Sequence, residues 1–428
     1  MNFVWLKIVI ILFVIGVLIC VFWPSSSHKK KNKREKVKDL LLVILSIGIG
    51  LSAWFFPLPA KLDKKTEQHI SETNTIVKLL ERRSRIPIYI DGLHYADPAI
   101  FDPFAKGLKL MTEYKWEKAI AEFKKATKEG KASKLVALYN LVGLCYYKSS
   151  RFELAIENYD KSLLLARDFM DRKGEANALG NLGIVYGIKG DLDRAIRYFE
   201  DALKIDREIG DKEGEGYDLN NLGIVYQAKG DFNRGMKYYE DALKINKAIG
   251  NKNGEADVLG NLGTAYLVKG DLDRTIRYHE GALKIYAEIG NKNGEANELG
   301  NLGVVYRIKE DLGKAIKYHE DALRIHREIG NRQGEANQLS NLGTVYGTKG
   351  DLDKAIRYFE DALKIDREIG DKEGEGSDLA GLAVAYDGRG EKQKALRYYE
   401  DALKILMEVG AQKKIEEAKR CIRRLKGE

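Results

Sequence analysis

A thirty-residue block, NLGIVYGIKGDLDRAIRYFEDALKIDREIG at 181–210, returns with edits from 221, 261, 301 and 341. A unit that recurs at such a period cannot bury its apolar surface alone, so it must stack on copies of itself. Aligned on the glycine of NLG, the series runs Gly107, Gly143, Gly183, Gly223, Gly263, Gly303 and Gly343, with Ala383 last. The spacing is 36 residues once and 40 thereafter. Residues 189–216 and 349–376 differ at one position, Arg194 against Lys354. Units this interchangeable argue against catalysis, which needs a one-off constellation of different groups.

The third unit shows what each one builds. Leu179, Leu182, Gly183 and Tyr186 lie at i, i+3, i+4 and i+7, one face of a helix. Gly190-Asp191 ends that helix and caps the next. Ala195, Ile196, Phe199, Ala202 and Leu203 then form a second apolar face, and the small residues let the two helices approach closely. Arg197/Asp201, Glu200/Lys204 and Lys204/Glu208, at i, i+4 on the outer side, read as solvated pairs. An all-α chain of eight units over 105–410 is expected. A last amphipathic helix in 411–428, with Ile415, Ala418, Ile422 and Leu425 on one side, covers the final unit.

This pattern resembles the tetratricopeptide repeat, W-x₂-L-G-x₂-Y followed by A-x₃-F, with leucine in place of tryptophan and no closing proline. The 40-residue form is similar to the repeats of Pins-type (LGN-type) proteins and of kinesin light chains. The chain lacks the C-terminal Gα-binding motifs of the former, so spindle and motor roles do not carry over. The resemblance implies an αα superhelix whose first helices line a concave groove at helix positions 2, 5, 6, 9 and 12–13. Position 6 is then Asn181, Asn221, Asn261, Asn301 and Asn341. Carboxamides both donate and accept, so this ladder suits the backbone of an extended peptide. Position 2 varies, through Asn177, Tyr217, Asp257, Asn297, Asn337 and Ser377, as selectivity along a ligand would require. Gly180, Gly260 and Gly300 at position 5 imply close approach, either of a ligand backbone or of the neighbouring helix. Crowding between first helices would by itself account for both the glycines and the asparagines. The Lys/Arg clamp that some chaperone-binding members use for C-terminal carboxylates is absent.

Charge and motifs exclude several other functions. The net charge of +8 sits at the two ends, +6 in 1–104 and +4 in 411–428, while 105–410 carries −2. The array is therefore no basic surface for nucleic acid. Cys20, Cys145 and Cys421 lie far apart, so neither a disulfide framework nor a zinc site is indicated. No nucleophile motif, P-loop or GxGxxG occurs. His279 and His319 occupy the slot of Phe199, Tyr239, Phe359 and Tyr399 and read as core rings; His326 lacks a second ligand pair for a metal. We expect no enzyme, no metal, no cofactor and no small-molecule substrate.

All six prolines precede residue 104, which divides the chain. Residues 3–23 are apolar apart from Lys7, and 40–59 opens with a second apolar run. Both approach the length of a membrane-spanning helix. The loop 24–39 between them holds seven Lys/Arg, and basic loops stay cytoplasmic. A transmembrane hairpin over 1–59 would thus place the array outside the cytoplasm; failed insertion of the second run would leave it inside. In the linker 60–104, residues 62–83 suit a polar helix and IPIYI at 86–90 alternates like a strand. The segment 84–104 either packs on the first repeat or occupies the groove. The sequence thus reads as a membrane-anchored scaffold that binds proteins or peptides. The alternatives are an accessory or regulatory subunit of a membrane enzyme or signalling complex, or a self-assembling scaffold.

Overall fold

The computed structural model describes residues 98–113, 115–129 and 132–427. Among these residues there are 17 α-helices and no strand. Units 1 and 2 are α1 (Pro98–Thr112) with α2 (Trp116–Glu129), and α3 (Ala132–Lys148) with α4 (Phe152–Asp168). Units 3 to 5 are α5 (Arg172–Ile188) with α6 (Leu192–Ile209), α7 (Lys212–Ala228) with α8 (Phe232–Ala248), and α9 (Lys252–Val268) with α10 (Leu272–Glu288). Units 6 to 8 are α11 (Lys292–Ile308) with α12 (Leu312–Glu328), α13 (Arg332–Lys349) with α14 (Leu352–Ile369), and α15 (Lys372–Gly388) with α16 (Lys392–Val409). Helix α17 (Gln412–Lys426) follows. The two apolar runs and the IPIYI segment lie outside the described residues, and no described helix is long and apolar enough to cross a membrane. Helix α1 reaches back to Pro98, a favourable first helical residue, and carries Pro103 inside it.

The connections follow from chain chemistry. From Ser150 to Gly410 a residue with left-handed φ recurs every twenty residues, and all but Ser150, Met170 and Glu310 are glycine. After Gly190 (φ 80°) the Asp191 N–H donates to the Tyr186 carbonyl at 2.9 Å, closing α5. The Asp191 carboxylate then accepts from the Arg194 N–H at 3.1 Å, opening α6. Two residues stop one helix and start the next.

Within a unit, the second helix lays a ring on the glycine of NLG. A Cβ at Gly183 would come within 2.9 Å of the Phe199 ring, so an alanine there needs the ring to shift; unit 8 carries Ala383 at this place, packed with Tyr399. His279 and His319 take this same buried slot over Gly263 and Gly303, as core rings. Beside it a tyrosine pair stacks in each of units 3 to 8, as in Tyr186 with Tyr198 at 5.4 Å between centroids. Arg194 lies over the Tyr186 ring at 4.8 Å. The five outer residues expected as i, i+4 pairs are exposed, but Glu208 pairs with Arg172 on the preceding helix instead of Lys204.

Between units, ion pairs and packing stitch one hairpin to the next. Glu215 at the start of α7 accepts from Arg207 on α6 at 2.8 Å and from Lys212 at 2.6 Å. Lys229 reaches back to Asp193 at 2.5 Å. Helix α17 buries Ile415 and Ala418, with Cys421, Ile422 and Leu425 partly covered against the last unit. Successive first helices also touch one another, as α5, α7 and α9 do, to an extent no two second helices reach. The array therefore closes up along its first helices.

Candidate functional site

The face that these closely spaced first helices leave open can be read from burial. In α7 Tyr217, Asn221, Ile224 and Ala228, at i, i+4, i+7 and i+11, are half-buried or exposed, while Leu219, Leu222, Gly223 and Val225 are buried. The same stripe, positions 2, 6, 9 and 13, recurs from α5 to α15, with Asn181 its one fully buried member. It does not extend over units 1 and 2, where position 9 is Leu108 and Leu144, both buried.

The five asparagines of the ladder lie on this stripe but are not equivalent. Asn181 Nδ2 donates to Asn140 Oδ1 at 3.3 Å, and Asn261 Nδ2 to Asn220 Oδ1 at 2.9 Å, so amide pairs bridge adjacent first helices. Asn221 donates to the Tyr217 carbonyl at 3.1 Å and Asn301 to Glu298 at 3.3 Å. Each contact engages one of two amide donors. Asn341 is half-buried. At position 2, Asn177 donates to the Lys173 carbonyl at 2.9 Å, and Asp257 accepts from Tyr286 Oη and Asn253. Asn297 is half-buried and Asn337 exposed.

The position-5 glycines have a different explanation from ligand approach. A Cβ at Gly260 would lie 2.8 Å from Glu298 Oε1, and one at Gly300 would lie 2.8 Å from Gln338 Nε2. These side chains come from position 3 of the next first helix, and all three glycines are buried. The neighbouring helix is what comes close. Position 3 also carries Asp218 and Asp378, so a buried polar row runs behind the open face. Sequence reasoning missed this row because each residue packs against the neighbouring first helix, about forty positions away, which no local pattern shows.

It also left unnamed the residues that make the face apolar. Position 9 is β-branched in units 3 to 8, from Ile184 and Ile224 to Val304 and Val384, with threonines at 264 and 344. Ile224 is 42% and Val384 60% exposed, and Val268 at position 13 is 58% exposed. Of the stripe residues in these units only Asp257 carries charge. Alternate carboxamides and branched methyls on a neutral face can take backbone amides and apolar side chains together. Among the described residues no group of three His, Cys, Asp or Glu side chains is placed to hold a metal. Burial lowers the proton affinity of His319 and brings His326 down to about 4, which keeps both core rings neutral.

A sequence profile described as tetratricopeptide repeat matches residues 134–208, 217–287, 254–328 and 334–408. No curated protein sequence matches the chain. Among solved structures, a Rap protein complexed with Competence and Sporulation Factor has a TM-score of 0.57 at 13% identity, covering 82% of this chain and 99% of its own. The apo quorum sensor NprR from B. thuringiensis has a TM-score of 0.54 at 16% identity, covering 81% and 100%. A signal transduction ATPase with a tetratricopeptide repeat sensor, from Pyrococcus horikoshii, reaches 0.52 at 18%, covering 85% and 56%. At these identities the likeness is one of fold.

Proposed function

We propose that this chain, which belongs to the tetratricopeptide-repeat family, is a scaffold that binds an extended segment of another protein along the open face of units 3 to 8. The observation that carries the reading is the neutral stripe itself, exposed branched side chains beside half-buried carboxamides on every first helix from α5 to α13. Exposed apolar surface organised in rows, on a protein whose other faces are densely charged, marks an interaction site. A Rap protein of the same fold is solved with Competence and Sporulation Factor bound, so an array of this kind accommodates a partner. We further propose that residues 3–23 and 40–59 anchor the chain in a membrane, with the array outside the cytoplasm. External protease on intact cells checks that topology: digestion of the array supports it, and protection of the array refutes it.

The binding reading is tested by Asn221→Ala, Asn261→Ala and Asn301→Ala combined. Each lost carboxamide contact is worth about 1 kcal/mol, so the triple variant should hold its partners roughly a hundredfold less tightly. Quantitative co-purification from native membranes reads the effect. Unchanged recovery with an intact helical fold would exclude the stripe.

A further inference from the structure

Between a unit's second helix and the next unit's first helix lies one buried slot, sealed by the glycine in the first turn of the next helix. At the junction of units 3 and 4 it holds Asp206 from α6 and Asp218 from α7; at the junction of units 7 and 8 it holds Asp366 from α14 and Asp378 from α15. All four carboxyls are at most 5% exposed. The members of each pair interact directly with one another. Two ionised carboxylates can only accept, and Asp218 Oδ2, Asp366 Oδ1 and both oxygens of Asp378 have no donor. Buried polar atoms without a partner are costly. We propose that each pair holds one proton between its two carboxyls, forming a proton-dependent clasp at these two junctions.

The surroundings favour the proton over the second negative charge. Asp211 and Glu215 also face the first pair, and Asp371 and Glu375 the second. Arg207 and Lys212 are committed to Glu215, and Arg367 and Lys372 to Glu375. Lys173 stands near Asp206 but pairs with Asp211 at 3.0 Å. At the second junction Gln333 takes that place, donating to Asp371 at 2.6 Å, so no lysine stands there; the Ser340 hydroxyl beside Asp378 favours the ionised form, but burial outweighs it. The contrast is Glu298, equally buried, which faces the His279 ring at 2.7 Å instead of an acid. Burial first, then neighbouring acid, raises all four aspartates, Asp206 to about 7 and Asp366 to about 6. An acid whose folded affinity for protons exceeds its unfolded one stabilises fully below the ordinary aspartate value of about 4. That stability is lost as pH rises through the folded value.

Hydrogen exchange of the full-length protein between pH 5 and 6 tests the clasp. Opening of α6–α7 and α14–α15 should rise about tenfold over this pH unit beyond intrinsic exchange, one proton being released per pair. The Asn246-bearing junction of α8 and α9 should not respond. In Asp218→Asn with Asp378→Asn the amide donates without titrating, and the extra slope should vanish. The same slope in that variant, or none in the wild type, overturns the proposal. Should the variant fail to fold, infrared spectroscopy of the wild type decides: a protonated-carboxyl band at pH 6 supports the clasp and its absence refutes it. Protection that instead depends on added magnesium or calcium, and is abolished by chelator, would also overturn it.

Discussion

His279 Nδ1 lies 2.7 Å from Glu298 Oε2 across the junction of units 5 and 6, with each residue 1% exposed. Removing the ring takes from the buried Glu298 carboxylate its shortest contact, leaving Asn301 as a donor to it, and should cost about 1–3 kcal/mol. His279→Phe should therefore destabilise the array even though units 3 and 7 carry Phe199 and Phe359 at that place. Adding Glu298→Ala should return most of the loss. Denaturant unfolding of the four proteins checks it; a neutral His279→Phe would show that the pair contributes nothing.

Two alanine substitutions at equivalent glycines should have opposite signs. At Gly180 the new Cβ would meet Asp218 Oδ1 at 3.4 Å, an ordinary contact, and the helix gains up to about 1 kcal/mol. At Gly260 it would meet Glu298 Oε1 at 2.8 Å, and His279 holds that carboxylate in place. Gly260→Ala should cost about 1–3 kcal/mol through overpacking. Thermal melts of the two variants should separate on either side of the wild type.

The contrast shows what the sequence could and could not reveal. Helices, turns and the use of small residues where two helices approach were legible because the unit recurs every 40 residues and the i, i+3, i+4 and i+7 spacings are local. The residue that crowds Gly260 is Glu298, on the next first helix, and no local pattern points to it. Asp206 and Asp218 look like the exposed acids around them; only stacking buries them against each other. The asparagine ladder was visible by register, but its pairing with Asn140 and Asn220 depends on how far adjacent helices close. The branched residues at position 9 could have been found by extending the ladder's register one turn.

Met170 occupies a left-handed position, φ 53°, where most other loops have glycine, and it is 84% exposed. A side chain there costs about 1–2 kcal/mol. Met170→Gly should raise the melting stability of unit 2 by about 1 kcal/mol. A fall in stability would mean that the exposed side chain has a partner.

His326 is fully buried, with both ring nitrogens lacking a hydrogen-bond partner, and burial brings its pKa down to about 4 against the opposing pull of Glu335. The unfolded chain binds a proton at about 6.5. Between these values the unfolded state holds more protons, so stability is full above about 6.5 and falls with pH by up to about 3 kcal/mol. His326→Leu, the residue that unit 8 has at this place as Leu406, should flatten that part of the profile. Identical profiles for the two proteins between pH 4 and 6.5 would rule out a buried neutral ring.

The claim on which the account rests is that partners meet the open face of the first helices. A photo-crosslinking residue placed at Ile224 or Val384 on that face, and at Lys204 or Lys364 on the second helices, compares the two faces within one array. We predict adducts with a common partner from 224 and 384, weakened by Asn221→Ala, Asn261→Ala and Asn301→Ala, and none from 204 or 364. Adducts from 204 and 364 alone would contradict it.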